Sequence, residues 1–317
     1  MCNLWLKKIE NMKKLIIAGG TGFLGQALTE YFKNKMDEIV ILSRNESRNE
    51  GNVTYLKWDA KTFGSWCPKL EGATAVINLC GKSVDCRYTE ENKKIIFSSR
   101  LDSTKIIGEA IQKCQDPPKI WMNGASSTIY GHSENTPMTE ASGKIGEGFS
   151  IEVCKAWEKM FNDFKLSSTR MINLRISLVM GNEGGVFPVL KKVVGRGLGG
   201  KMGNGRQQVN WIHVQDFCRI IEWMIDNEKA KGAYNIVAPS PVRNEKMMKL
   251  FRKKLHAWIG LPAPAWLLEI GAFFIRTETE LVLKSRYAVP ERLLNEGFQF
   301  KYNSFEECIE NLIQSSR

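Results

Sequence analysis

The stretch "KKLIIAGGTGFLGQALTEYFKNK", residues 13–35, decides how the rest of the chain is read. A short apolar run leads into a glycine-rich turn, and the turn leads into apolar residues at helical spacing. The pattern predicts a buried strand over 13–20 and a helix with one apolar face over 23–35. Between them Gly20, Gly22 and Gly25 satisfy G-x-G-x-x-G, and Gly19, Gly22 and Gly25 satisfy G-x-x-G-x-x-G, with Thr21, Phe23 and Leu24 in the gaps. Alone such a match is weak. Between a strand and an amphipathic helix, at the start of an alternating domain, it is strong. Glycine permits the tight turn and the close backbone approach, and the first helical turn offers unpaired N–H groups to a pyrophosphate.

Working outward, strands are expected at 37–44, 53–59, 73–81, 119–126 and 168–181, with helices at 89–114 and 152–164. Residues 73–81 are apolar enough for a central position in a parallel sheet. Thr89 followed by acidic residues caps the long helix, and Pro117-Pro118 stops it. The alternation predicts an α/β chain: a Rossmann-type doubly wound parallel sheet with right-handed crossovers, followed by a smaller, mixed, mainly helical C-terminal substrate lobe. The expected division is an N-terminal extension at 1–11, a dinucleotide-binding domain at 12–180 and the lobe at 181–317. Segments near 208–240 are expected to return to the first domain. The lobe would sit near the carboxyl ends of the strands, where such sheets bind ligands.

Composition narrows the function. With 317 residues, 43% hydrophobic and 25% charged, the chain is that of an ordinary soluble globular protein. Eight cysteines without a C-x-x-C pair, and only three histidines, favour reduced thiols in the cytoplasm over a metal site. The first twenty residues have charges in the middle and no small-residue cleavage site, a poor signal peptide. Elsewhere no apolar run approaches the roughly 20 residues of a membrane span. The net charge of +11 invites nucleic acid, but the lysines are dispersed and no nucleic-acid motif accompanies them. A basic surface suits anionic ligands equally, including a phosphorylated cofactor.

The end of the second strand separates the two nicotinamide cofactors. NAD sites place an acid there for the ribose hydroxyls, whereas this chain has Ser43-Arg44, with Glu46 arriving after the strand. An arginine fork suits a 2′-phosphate that a carboxylate would repel, so NADP(H) is expected over NAD(H). Arg44 has an alternative as a surface arginine stacked on adenine. Asp59 is a candidate for the adenine amino group or for an acidic cap.

The Gly-rich turn, "NLCG" after the fourth strand and "SSTIYG" after the fifth resemble the extended short-chain dehydrogenase/reductase superfamily. More narrowly, "GGTGFLG", "NLCGKSV", "RYTEENK", "SSRLDST", "GLGGKMGNGRQQVNWIHVQDF", "NIVAPSPVRN" and "SRYAVPERLLNEGFQFKY" resemble its NAD(P)-binding epimerase-family branch. The resemblance spans about residues 13–313 and implies a small C-terminal domain at about 263–313. It also implies that Asn78, Leu79, Cys80 and Gly81 run beneath the cofactor ribose and pyrophosphate.

In that superfamily a serine or threonine after the fifth strand polarises the substrate oxygen, and a Tyr-x-x-x-Lys pair on the next helix transfers the proton. Ser126 matches the hydroxyl. The helix reads "GEGFSIEVCKAWEKM", with Lys155 present but Ile151 four residues before it, and no tyrosine lies between Tyr130 and Tyr234. Tyr31 and Lys35 have the spacing by coincidence, in the wrong helix. Candidates for the missing acid are Tyr130, which stands where the superfamily has a packing tyrosine and reads first as core, and Glu152, Cys154 or Lys155, each with an alternative in packing or on the solvent face. Hydride transfer to a carbonyl carbon needs some such partner.

Arg87 and Lys93 are candidates for an anionic substrate group, or a solvated helix start. Arg206, Gln207, Asn210, Trp211, His213 and Asp216 fall where the two lobes should meet. Arg206, Asn210 and His213 are expected at the substrate cleft, with His213 as a general base or a structural histidine. Arg175 is a phosphate contact or a salt bridge. The function expected is an NADP(H)-binding oxidoreductase or epimerase-like protein acting on a small carbonyl or alcohol without the usual phenol. The alternative is a weakly active or inactive NADP(H)-binding regulatory or interaction protein. The sequence leaves open whether it is a homo-oligomer.

Overall fold

A computed structural model describes residues 12–269 and 280–316. The extension expected at 1–11 lies outside the described residues, as do residues 270–279 of the expected C-terminal domain. The strands are β1 (Lys14–Ala18), β2 (Glu38–Ser43), β3 (Arg48–Glu50), β4 (Val53–Lys57), β5 (Ala75–Asn78), β6 (Ile120–Ser126), β7 (Arg170–Ile176), β8 (Leu178–Met180), β9 (Gln208–Val209), β10 (Trp211–His213), β11 (Gly232–Ile236) and β12 (Val242–Arg243). The helices used below are α1 (Phe23–Phe32), α2 (Glu90–Gln112), α3 (Phe149–Asn162), α4 (Phe187–Gly195), α5 (Val214–Asp226), α6 (Asn244–Lys254), α7 (Glu280–Leu283), α8 (Glu291–Asn295) and α9 (Phe305–Gln314).

Eight strands form one sheet in the order β11-β7-β6-β5-β1-β2-β4-β3, parallel throughout except for the antiparallel β3–β4 edge. The apolar strands explain it. Leu15, Ile16 and Ile17 of β1 are fully buried, so both faces must be covered by helices. Leu15 and Ile17 join Leu28 and Phe32 of α1 and Ile220, Ile221 and Met224 of α5 on one face. Ile16 and Ala18 join Ile106, Ile107 and Ile111 of α2 and Phe161 of α3 on the other. Each such burial of a large aliphatic side chain contributes about 1.5–3 kcal/mol.

Three boundaries differ from the sequence expectation, each for a local reason. The strand expected over 168–181 is divided: Ser177 turns both its N–H and its hydroxyl to Ile236 O (3.2 and 3.0 Å), and β8 leaves the sheet to pair with β10. The helix expected from 152 begins at Phe149, whose ring is held against Tyr88 and Phe97 at centroid distances of 4.6 and 5.8 Å. The first helix stops at Phe32 because the N–H groups of Lys35 and Met36 both turn back to Phe32 O.

The later part of the chain builds a second core. Phe187 of α4, Phe251 of α6, Trp211 of β10 and Phe305 of α9 are buried together. β10 leads into α5, which packs beneath the main sheet, and β11 then joins that sheet beside β7. The crossing places β9, β10 and the 284–288 segment beside the carboxyl ends of β6 and β7. Met138 pairs with Ala288, and Ser133 N donates to Ser285 O at 3.2 Å. Among the described residues no helix is long and apolar enough to cross a membrane.

Candidate functional site

β1 lies between β2 and β5, so the chain leaves it in opposite directions on its two sides. The crevice at that reversal is where doubly wound sheets take a ligand. Gly19 occupies it with φ +77, its N–H donating to Leu42 O at 3.0 Å, and Leu79 N donates to Ala18 O at 2.9 Å. A Cβ on Gly19 would lie 3.1 Å from the Leu79 carbonyl, closing the floor of the crevice. Gly25 brings α1 down on the turn: its Cβ would stand 2.4 Å from Gly20 Cα. Gly22 caps α1 without any side-chain hydrogen bond, and Thr21 and Gly22 are exposed, so the first-turn N–H groups face the crevice mouth. Phe23 and Leu24 belong to the scaffold. Leu24 packs on the core, and the Phe23 ring fills a slot made by Gly181, Gly184 and Gly185, where a Cβ on Gly184 would come within 2.6 Å of it.

At the end of β2 Ser43 is buried and Arg44 exposed. Glu46 is drawn away into an ion pair with Lys57. Arg44 projects its charge toward Cys80, although burial still pushes that thiol up to about 12. Asp59 forms a local turn: Oδ1 accepts from Lys61 N and Thr62 N and Oδ2 from the Thr62 hydroxyl, all at 2.8 Å, and these bonds hold its carboxyl down at about 2. Asn78 is wholly buried beneath the crevice. Its Nδ2 donates to Asn123 Oδ1 at 2.8 Å, and its Oδ1 accepts from Cys80 N at 3.1 Å, fixing the turn that carries Leu79, Cys80 and Gly81. Thr104 and Trp157 complete that knot.

Ser126 ends β6 with its Oγ accepting from Thr128 N at 3.2 Å, which leaves the hydroxyl proton for another acceptor. Tyr130 is turned inward and is 1% exposed. Its hydroxyl accepts from Arg175 Nη1 at 2.7 Å and lies 2.9 Å from Asn235 Oδ1 and 3.1 Å from Thr139 O, and burial raises its pKa above the usual phenol value. Arg175 is a salt bridge rather than a phosphate contact: it grips both carboxylate oxygens of Glu158 at 2.8 and 2.9 Å. On α3 Ile151 is buried where the superfamily resemblance puts the phenol, and Lys155 is half exposed with its ammonium 2.9 Å from Glu152 Oε1. Cys154 is buried, and burial pushes its thiol up to about 12, so it stays protonated.

The cleft candidates separate. Arg87 and Lys93 stand at the start of α2, where Lys93 pairs with Glu90 at 2.9 Å. Arg206 is largely exposed and crosses to Glu134 at 3.2 Å. Asn210 is buried, its Oδ1 accepting from Ala288 N at 3.2 Å while its Nδ2 meets no partner among the described residues. His213 is committed elsewhere. Its Nδ1 accepts from Gln215 N at 3.0 Å, capping α5, and its Nε2 meets Asn311 Oδ1 at 3.1 Å. The ring stacks on Tyr302 at 3.8 Å, and burial lowers its pKa to about 4. Tyr31 and Lys35 both bind Glu222 across the α1–α5 contact. Lys35 and Glu222 border a cavity of about 570 Å³ lined also by Lys13, Thr74, Lys119 and Arg170, at the amino ends of the strands and opposite the crevice.

Three groups around α3 and the Gly81 turn escaped the sequence reading of the site. Tyr88 sets its hydroxyl 3.1 Å from Ser150 Oγ, at the start of α3. Arg100 of α2 lies against Gly81, whose Cβ would be 3.1 Å from the guanidinium carbon. Arg286 comes from the 284–288 segment, tied to β9 by its N–H to Gln208 O at 3.0 Å. Only contact across more than 40 residues of sequence reveals the last, and nothing in its local pattern announces it.

Comparison with known proteins agrees with this architecture. The description "NAD dependent epimerase/dehydratase family" matches residues 15–237, and a domain of unknown function, DUF1731, matches residues 263–312. The epimerase family protein YfhF of Bacillus subtilis is 32% identical over 302 residues, 94% of this chain and 97% of its own. The crystal structure of human epimerase family protein SDR39U1 with NADPH superposes with a TM-score of 0.84 at 27% identity, covering 95% of this chain and 99% of that one. A nucleoside-diphosphate sugar epimerase from Corynebacterium glutamicum gives 0.77 at 25% identity, covering 96% of this chain and 59% of that one. The chain is therefore a Rossmann-fold, nicotinamide-dinucleotide-type protein of the extended short-chain dehydrogenase/reductase kind, and it belongs to the NAD dependent epimerase/dehydratase family.

Proposed function

We propose that the chain is an NADP(H)-binding oxidoreductase that acts on a small carbonyl or alcohol without a Tyr-x-x-x-Lys pair. The observation that carries the proposal is the shape of the crevice: a floor that a single Cβ on Gly19 would fill, bounded at the end of β2 by Arg44 rather than by an acid. Open N–H groups at the start of α1 suit the pyrophosphate, and the Arg44 fork suits a 2′-phosphate. The NADPH in the human SDR39U1 structure supports this choice. Bound NADPH supplies the hydride. Ser126 hydrogen-bonds the substrate oxygen through its hydroxyl and orients it while another group supplies the proton, the Asn78–Asn123 knot holds the turn beneath, and Tyr130 ties the segment after β6 to Arg175 of β7 and Asn235 of β11. Substrate enters past Arg87, Lys93 and Asn210, at the side where Ala288 shares a buried cluster with Cys154 of α3. The seven described cysteines are free thiols, which suits a reducing compartment such as the cytoplasm.

A second function, NADP(H) binding with little turnover for regulation or partner recognition, is supported by Ile151, which cannot carry a proton, and by the salt bridge that engages Lys155. Fluorescence titration with NADPH and NADH tests the shared part. NADPH is expected to bind more tightly, and Arg44→Ala to erase about tenfold or more of that preference. An unchanged preference would remove the 2′-phosphate clamp. Steady consumption of NADPH with a panel of aldehydes and ketones, reduced by Ser126→Ala, would favour the oxidoreductase; tight binding with no consumption would favour the second function.

A further inference from the structure

Buried arginines in this fold are normally answered by an acceptor. Arg175 holds Glu158 with both nitrogens, and Arg170 holds the carbonyls of Met224, Ile225, Asn227 and Ala230. Two arginines at the substrate side of the crevice depart from that rule. Arg286 is 12% exposed, its Nε and Nη1 have no hydrogen-bond partner among the described residues, and its Nη2 comes only within 3.7 Å of Glu280 Oε1. Arg100 gives one N–H to Ile96 O at 2.9 Å and lies over the Trp157 ring at 5.1 Å, with no carboxylate paired to it among the described residues. Burial lowers the pKa of each, and for Arg286 the Glu280 carboxylate offsets only part of that.

The two meet the same helix. Arg100 lies over the Trp157 ring of α3 and against Gly81, while Ala288, two residues from Arg286, shares a buried cluster with Cys154 of α3, and both arginines favour ionisation of that thiol. Asn210 adds a third donor against the 284–288 segment: its Oδ1 accepts from Ala288 N at 3.2 Å, and its Nδ2 is buried without a partner among the described residues. Unanswered buried donors are rare in folded proteins, and an uncompensated guanidinium is the most costly kind. Flat guanidinium forks match the two oxygens of a carboxylate or a phosphate. Cys154 itself stays a neutral thiol, so the arrangement binds and does not attack.

We propose that Arg100, Arg286 and Asn210 form an oxyanion-binding subsite over Cys154 that holds a carboxylate or phosphate group of the substrate. The proposal rests on the substrate-cleft assignment above and names the class of molecule that enters it: a small carbonyl or alcohol compound carrying an anionic group. A phosphate of the cofactor is a competing occupant, which loading with NADPH separates.

The test is calorimetric titration of the full chain, saturated with NADPH, with oxalate and separately with inorganic phosphate at constant ionic strength. Saturable binding of at least one is expected. Oxalate alone would indicate a carboxylate substrate and phosphate alone a phosphorylated one. Arg100→Gln and Arg286→Gln are each expected to weaken that binding about tenfold or more, while NADPH affinity stays within about twofold. Arg286→Lys, which keeps the charge and loses the fork, keeps the protein testable if the glutamine variant does not fold, and its binding is expected to be intermediate. No saturable binding in the unmodified chain, or binding unchanged in both arginine variants, overturns the subsite. Anion binding seen only without NADPH also overturns it, since the anion would then occupy a cofactor phosphate position. If NADPH itself does not bind, the cofactor assignment fails on its own, and the same titrations on the unloaded chain still decide the subsite.

Discussion

The two sides of the crevice are built in opposite ways. On the side of β1 and β2 the backbone shapes the crevice: Gly19 opens the floor, Gly25 seats the helix on the turn, and the charged side chain proposed for the cofactor is the exposed Arg44. On the side of β6, α3 and the 284–288 segment the site is made of side chains. They come from segments far apart in sequence, and donor atoms of Arg286 and Asn210 have no partner among the described residues. Backbone sites tolerate no added atom, whereas side-chain sites tolerate replacement but depend on what pairs with what. Substitutions on the two sides should therefore fail differently, the first through shape and the second through charge and hydrogen bonding.

The largest effect is expected where shape rules. Gly25→Val would place a branched side chain where even a Cβ stands 2.4 Å from Gly20 Cα, an atom that cannot move without the turn. The expected cost is more than about 3 kcal/mol by urea unfolding, with loss of measurable NADPH binding. If the valine variant bound NADPH like the unmodified chain, close seating of α1 would not be what shapes the crevice.

Next comes a hydrogen-bonded side chain near the lobe junction. His213 has its pKa lowered to about 4 by burial, so the unfolded chain takes up this proton more readily than the folded one. Its contribution is complete above the ordinary imidazole value near 6.5 and falls as pH drops toward 4. At about 1.4 kcal/mol per tenfold difference in proton affinity, the loss approaches roughly 3 kcal/mol. His213→Asn keeps a residue suited to capping α5 and should flatten that part of the profile. Urea unfolding between pH 7 and about 4 reads it; an equal slope in both proteins would mean that His213 is not a neutral cap.

The contrast also explains how much of the molecule was legible from sequence. The Gly-rich turn was readable because close packing demands glycine at fixed spacing, and the parallel sheet because its strands are apolar on both faces. The place of Ser126 followed from its position at the end of a strand. The use of Arg175 did not, because salt bridge and phosphate contact look alike until Glu158, on a different element, is seen beside it. Nor did Arg286, whose neighbour Gln208 meets it only through tertiary folding. The division at Ser177 was equally hidden, since its cause is a carbonyl on β11, about 60 residues later.

Tyr130 sharpens the comparison further. Removing its hydroxyl in Tyr130→Phe leaves Arg175 Nη1 and Asn235 Oδ1 short of one partner each inside the protein. The expected cost is about 2 kcal/mol in chemical unfolding, with NADPH affinity unchanged. A variant of normal stability that lost turnover would instead make Tyr130 the acid.

The smallest effect is expected at the chain's only literal Tyr-x-x-x-Lys. Tyr31 and Lys35 share Glu222 on the far edge of the sheet, and the Lys35 and Glu222 side chains are 41% and 33% exposed. Water screens such a pair, so Tyr31→Phe should change stability by less than about 1 kcal/mol and leave both cofactor binding and turnover untouched. The spacing that elsewhere in the superfamily marks a proton-transfer pair here ties α1 and the turn after it to α5, because Tyr31 and Lys35 both reach Glu222. If Tyr31→Phe lowered turnover without lowering stability, the crevice between β1 and β5 would not be the centre of the chemistry, and the cavity beside Lys35 would take its place.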